Sequence, residues 1–299
     1  MPEEQPDTVL DLLLPRDTRW LGEIYGIKTK AALNSQEKLL LVGGSAVHFG
    51  FSASTIGSNI GVRSVNYGTH GGLSADYILH RALGVIGAGD TVLLALSWHQ
   101  LQVEQFFTET QARHIGINDR NYLDGLAPSL IEKVKAAVRR ERLMEISDLN
   151  GPAWTGPLYD SRSVSDVGDE TANDPGNGFG GTFGAAPKFG PISRDAVSNK
   201  SPFLLVRAFS QKAKERGARV IAAIPPMLTQ DVYHDASSYH WQLFEGCISE
   251  FREAQIETLG KPTDYLFVED EMLDHIYHAN KLGTARMTAV LLSHLRRAL

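Results

Sequence analysis

A serine set directly after a glycine pair offers the clearest chemistry in this chain. The apolar run LLLV ends at Gly43 and Gly44, and Ser45 opens the helix-like stretch SAVHFG. A strand that stops on two glycines throws the next side chain out at the carboxyl edge of a sheet, beside helix-start N–H groups that have no acceptor within the helix. That setting suits a nucleophile whose intermediate carries negative charge on oxygen. The same residues also read as a glycine turn with a serine N-cap, so Ser45 needs partners. Residues that follow the other predicted strands are Asn66, Gly68 and His70, then Ser97, His99 and Gln100, then Asp274 and His278. Nucleophilic acyl transfer needs a hydroxyl, an imidazole to take its proton and a carboxylate to orient the imidazole. Ser45, His278 and Asp274 supply these from distant loops. Singly, His278 reads as a capping imidazole and Asp274 as an acid answering a helix dipole. Their place after the last predicted strand, in the same loop set as Ser45, raises both.

The elements that must position these loops alternate between strand-like and helix-like patterns. This predicts an α/β fold: a doubly wound, mostly parallel five-stranded sheet with helices on both faces, a three-layer sandwich. Strands are expected at 38–44, 63–68, 89–97, 218–226 and 264–270, and helices at 73–87, 121–148, 203–217, 241–260 and 283–299. In such sheets ligands bind outside the carboxyl ends of the strands. Residues 1–37 read as an N-terminal extension and 38–299 as one domain. The domain carries an insertion at about 150–201, rich in Gly, Asp, Asn, Ser and Pro, that reads either as a lid over the site or as a disordered loop.

With 299 residues, 42% apolar and 21% charged, the chain can bury a full core. A net charge of −6 gives no footprint for nucleic acid. Cys247, the single cysteine, sits in a helical apolar pattern and reads as a packing residue. The acidic start MPEEQPDTVLDLLLP is unlike a signal peptide, and no apolar run approaches the roughly 20 residues that cross a bilayer. The expectation is a soluble, cytoplasmic chain as written, or an extracytoplasmic one if a leading segment has been trimmed. GxGxxG is absent, which argues against a dinucleotide, and no cofactor is expected. An alternative metal site would draw on His48, His70, His99 and His278, although no short-spaced ligand pair such as HxH or HExxH occurs.

Three blocks in order resemble those of the SGNH, or GDSL-like, hydrolases over most of residues 20 to 299: GGSAVHFG, VNYGTHGG (65–72) and DHIYHANKLG (274–283). With GDTVLLALSW they are similar to a branch found near polysaccharide and cell-envelope acyl chemistry, related to proteins of alginate O-acetylation. The resemblance implies that Ser45 is the nucleophile and that the Ser45 and Gly68 N–H groups form the oxyanion hole. Asp274 and His278 would be acid and base. It also implies an acylated carbohydrate or other small ester as substrate, and a place in a polysaccharide-modifying system.

Two departures stand out. Where the family usually offers an asparagine this chain has LSWHQ, so Ser97, His99 or Gln100 would have to donate to the oxyanion. The acid and base lie four residues apart rather than three, a spacing that keeps both on one face if the segment is helical. Glu271 and His275 share that spacing, but Asn280 and Gly283 favour His278. The other class of reading is a non-catalytic relative that binds glycans or scaffolds an assembly.

Overall fold

The computed structural model describes residues 19–102, 107–147, 158–178 and 201–298. Five parallel strands form the central sheet: β1 (Leu39–Gly43), β2 (Ser64–Asn66), β3 (Thr91–Ala95), β4 (Arg219–Ala223) and β5 (Glu257–Leu259). Their order is β2-β1-β3-β4-β5, so the winding reverses between β1 and β3. All five residues of β1 are buried, as expected for a strand covered on both faces. Each Leu or Val removed from water there contributes about 1.5–3 kcal/mol.

The starts of β1 and β3 are tied by a buried ion pair. Lys38 Nζ lies 2.6 Å from Asp90 Oδ2, and the same carboxylate accepts from the Lys38 and Gly87 N–H groups. This clamp helps to hold the register that sets Leu39 against Thr91 and Gly43 against Ala95.

The helices are α1 (Arg19–Leu33), α2 (Ser45–Gly50), α3 (Ala53–Ile60), α4 (Ala75–Leu83), α5 (Trp98–Gln102), α6 (Glu109–Asn118), α7 (Pro128–Ser147), α8 (Ser201–Glu215), α9 (Tyr239–Glu253) and α10 (Lys281–Ala298). Helices α4 and α8 pack together on one face, and α9 joins them through the Phe203–Phe251 ring contact. Helix α10 packs on α2 and α3 on the other. This is the arrangement that right-handed crossovers on either side of β1 require. Among the described residues no helix is long and apolar enough to cross a membrane.

Two expectations change. The fifth strand of the sheet is Glu257–Leu259; Leu266–Phe267, within the predicted strand 264–270, pairs instead with Met227–Leu228 in a separate two-stranded ribbon. Helix α9 stops at Glu253 because Gln255 adopts a left-handed φ of 57°, which frees Ile256 to begin the edge strand. Within 1–37, where no element was expected, helix α1 buries Trp20, Leu21, Ile24, Tyr25 and Ala32 in the main core.

Candidate active site

The loops at the carboxyl edge meet over the β1/β3 junction. Because Gly43 and Ala95 are register partners, Ser45 and Ser97 leave the sheet at the same level. A side chain at position 43 would put its Cβ 2.4 Å from Ala95 O and from Val47 Cγ2, so only glycine fits. The chain turns through Gly44 and places Ser45 first in α2, 3% exposed. Residues three and four apart share a helix face, so Ser45, His48 and Phe49 look the same way. Gly71 comes down from the loop after β2, and a Cβ on it would lie 3.1 Å from Ser45 Oγ.

His278 and Asp274 are brought together: Nδ1 and Oδ1 are 2.6 Å apart, and both side chains are buried. The imidazole's other nitrogen, Nε2, is buried and has no hydrogen-bond partner among the described residues. The segment is not helical. Met272 and Ala279 form an antiparallel bridge, Leu273 N–H donates to His278 O, and His278 N–H donates to His275 O. A tight hairpin therefore sets acid against base, and its turn at Ile276 and Tyr277 takes up the extra residue. The His278 ring lies 4.5 Å from that of Phe49, one helical turn beyond Ser45. Phe49 thus links the helix that carries Ser45 to the imidazole, and hydroxyl and imidazole are not hydrogen-bonded to each other.

Glu271, the alternative acid, is held by Arg286 and caps the Val268 N–H. Asn280 accepts from the Leu282 and Gly283 N–H groups and so caps α10. A Cβ on Gly283 would sit 2.5 Å from Glu271 O, which explains the glycine.

The expected oxyanion donors need correction. The Gly68 N–H donates to Asn66 Oδ1 at 3.0 Å and is already engaged. A Cβ at Gly68 would lie 2.5 Å from His48 N, so this glycine serves close packing under α2. Gln100 acts as a clamp between loops: Nε2 donates to Leu73 O, and Oε1 accepts from Ser97 N–H and Ser97 Oγ. His99, neutral because burial depresses its pKa, donates from Nε2 to Gly71 O at 2.9 Å. It thereby fixes the glycine that faces Ser45.

Several residues that sequence reading passed over complete the site. The described part of the 150–201 stretch, residues 158–178, packs against it. Tyr159 stacks on His48 (5.3 Å, 9° between planes) and lies edge-on to Phe49 (5.2 Å). At the far end of the segment a Cβ on Gly178 would lie 2.8 Å from Asp274 Cβ. In between, Asp169 accepts from the Ala53 and Ser54 N–H groups at the start of α3, and Asn173 donates to Thr284 Oγ1 on α10.

Beneath lies a buried polar chain. Lys28 Nζ donates to Gly168 O (2.6 Å), Asn66 O (3.0 Å) and His48 Nδ1 (3.0 Å), and His48 Nε2 donates to Glu170 Oε2 (3.2 Å). Burial pulls the Lys28 ammonium down to about 7 against the opposing pull of Asp169 and Glu170. Burial, with the Lys28 charge second, lowers His48 to about 4. Sequence did hold a signal: Ile24, Tyr25, Lys28, Ala31 and Ala32 follow helical spacing, so a lysine stands at a core position.

These engagements take His48 and His99 out of the metal alternative and leave one ring nitrogen each on His70 and His278 unpartnered among the described residues. Both His48 nitrogens are bonded, His70 Nδ1 accepts from Gly72 N–H and His99 holds Gly71. Among the described residues no three His, Cys, Asp or Glu side chains converge on a common point. Cys247 is buried in α9, and burial raises its thiol far above the ordinary range.

No protein-family model and no curated protein matches the chain. Among solved structures it is similar to protein YxiM of Bacillus subtilis, at 12% identity and a TM-score of 0.42, over 88% of this chain and 57% of that one. It is also similar to a Desulfitobacterium hafniense protein named for the lipolytic G-D-S-L family, at 12% identity and a TM-score of 0.37, over 86% of this chain and 99% of that one. The chain thus spans under two thirds of YxiM. Both likenesses are loose, and the site stands on its own geometry.

Proposed function

We propose that the chain is a serine-dependent esterase or O-acyltransferase. Ser45 Oγ attacks an acyl carbonyl while His278 Nε2 takes its proton, and Asp274 holds the ring and balances the imidazolium that forms. The proton then passes to the departing alkoxide, leaving an acyl group on Ser45. Water or a sugar hydroxyl, deprotonated by the same imidazole, releases it. The observation that carries this reading is the 2.6 Å Asp274–His278 pair, whose other ring nitrogen is buried and unpartnered among the described residues while the ring packs on Phe49, one turn from Ser45. Catalytic hydrogen bonds are often long in unliganded sites and tighten once substrate is bound, so the absence of a Ser45–His278 hydrogen bond among the described residues does not count against this reading.

In this reading the oxyanion donors are the Ser45 N–H, at the first position of α2, and the N–H of Gly71, the glycine that faces Ser45 Oγ, which takes the part the motif assigned to Gly68. An acetylated carbohydrate or other small ester as substrate, and partnership in a polysaccharide-modifying system, rest on the likeness of the three motifs to SGNH proteins near alginate O-acetylation. Hydrolysis of p-nitrophenyl acetate together with labelling by a fluorophosphonate tests the nucleophile. Wild type should turn over and be labelled, and Ser45→Ala should do neither. Full turnover by the variant, or a wild type inert to both reagents, would leave the non-catalytic reading in possession.

A further inference from the structure

The site lacks the asparagine that SGNH-like motifs place after the third strand, and the side chains after β3 are committed elsewhere: Gln100 as a clamp, His99 on Gly71. Another group must meet the oxyanion if Ser45 is to work fast. Tyr159 reaches Phe49 and His278 from outside every motif. Its ring is wedged among Trp20 (4.9 Å), Phe49 (5.2 Å), His48 (5.3 Å), His70 (5.5 Å) and His278 (6.3 Å). Of these, His48 and Phe49 share the Ser45 face of α2, and His278 is the proposed base. The Tyr159 hydroxyl is buried, makes no well-directed hydrogen bond among the described residues, and lies beside the Ser45 hydroxyl, which interacts with it. Buried phenols normally find a firm partner; here the polar neighbour is the proposed nucleophile itself, so the phenol stands where the oxyanion would form.

The backbone agrees. Tyr159 has φ of 56°, a left-handed conformation that a bulky side chain adopts only where surrounding contacts enforce it. The contacts that enforce it are those holding residues 158–178 down: Lys28 on Gly168, His48 on Glu170, and Asp169 on α3.

We propose that Tyr159 Oη is a catalytic oxyanion donor, which hydrogen-bonds the carbonyl oxygen of the ester as Ser45 adds to it. This rests on the reading of Ser45 as nucleophile. The phenol keeps its proton throughout: burial first, then the charges of Asp274 and Glu170, hold its pKa well above 10, while the neighbouring Ser45 hydroxyl pulls it down. Tyr159 therefore acts as a donor and not as a base, and no proton leaves it in the cycle. The missing motif asparagine is replaced by a side chain delivered from the Gly- and Asp-rich segment, which makes that segment part of the catalytic apparatus.

Tyr159→Phe keeps the stacked ring and removes only the hydroxyl. With p-nitrophenyl acetate it should lower kcat by about 10²–10³-fold, the loss typical of one oxyanion donor, with KM within about twofold because ground-state binding is not touched. An aryl trifluoromethyl ketone, which forms a tetrahedral adduct on serine, should lose affinity by a similar factor. The melting midpoint should stay near wild type. Tyr159→Phe retaining wild-type kcat and ketone affinity, while Ser45→Ala is inactive, overturns the donor role and leaves the nucleophile standing. A fall in kcat with unaltered ketone affinity also overturns it, because a donor must strengthen the adduct. If Ser45→Ala turns over like wild type, the nucleophile fails and the donor role falls with it.

Discussion

Replacing Asp274 by Asn removes one charge at the most constrained contact of the site and little else. In the native pair the carboxylate lies 2.6 Å from Nδ1 and both groups are buried, so a neutral ring keeps its proton on Nδ1 and its lone pair on the unpartnered Nε2. During acylation His278 becomes an imidazolium, and its charge centre lies about 4 Å from that of the carboxylate; at the effective dielectric of partly shielded protein sites this is worth about 4 kcal/mol. At 1.36 kcal/mol per decade, the loss of that attraction slows the chemical step about 10³-fold. An Asn amide that turns its NH₂ toward Nδ1 also reverses the tautomer and deepens the loss toward about 10⁴-fold. The assay is single-turnover acylation by p-nitrophenyl acetate, with Ser45→Ala as the floor and thermal melting as the control for folding. A folded Asp274→Asn protein that keeps more than about a tenth of the wild-type rate, a deficit below 1.4 kcal/mol, would show that the pair serves architecture and that the general-base argument is wrong.

Other outcomes follow from neighbouring contacts. Gly71→Ala puts a Cβ 3.1 Å from Ser45 Oγ and should slow acylation about 10–100-fold by displacing the nucleophile; an unchanged rate at an unchanged melting midpoint would refute that approach. Lys28→Met strips a donor from Gly168 O, Asn66 O and His48 Nδ1 and should cost about 1–3 kcal/mol in chemical denaturation at neutral pH. Lys28 holds its proton less tightly folded, at about 7, than unfolded, at about 10.4. The unfolded chain therefore binds more protons between those values, and wild type should gain stability over Lys28→Met as pH rises from 7 to 9; parallel curves would contradict this. His48 at about 4 and His70 at about 3, both lowered first by burial, stay neutral when folded while their unfolded counterparts charge below about 6.5. Each should remove up to about 1.4 kcal/mol of stability per pH unit below that value, and a melting midpoint flat from pH 6.5 to 4.5 would argue against their burial.

What could be read from the chain followed the strength of local signals. LLLVG and TVLLA are continuous apolar runs ended by turns, and fully buried parallel strands leave that trace, so the central strands and the Ser45 elbow were legible. The edge strand Glu257–Leu259 was not: three residues with one exposed acid carry little pattern, while DYLFVED looks more strand-like and lies in a two-residue ribbon. The Asp274–His278 pairing was legible as a spacing but not as a hairpin, because spacing does not distinguish one helical turn from a chain reversal. Tyr159 and Glu170 were out of reach. They lie in a stretch with no periodicity, and what holds them is tertiary: Lys28 from α1 and His48 from α2, each binding a residue more than a hundred positions away.

The same segment also closes a flank of the sheet. β2 is an edge strand, and exposed edges act as templates on which other chains add strands. Here Val167 O accepts from the Asn66 N–H at 2.8 Å, and Gly168, with φ of 86°, lies so close that a Cβ on it would come 2.3 Å from Asn66 O. Only a residue without a side chain can seal that border. A chain shortened by excising 158–178 would present an unguarded β2 to its own copies, and self-association would then compete with folding.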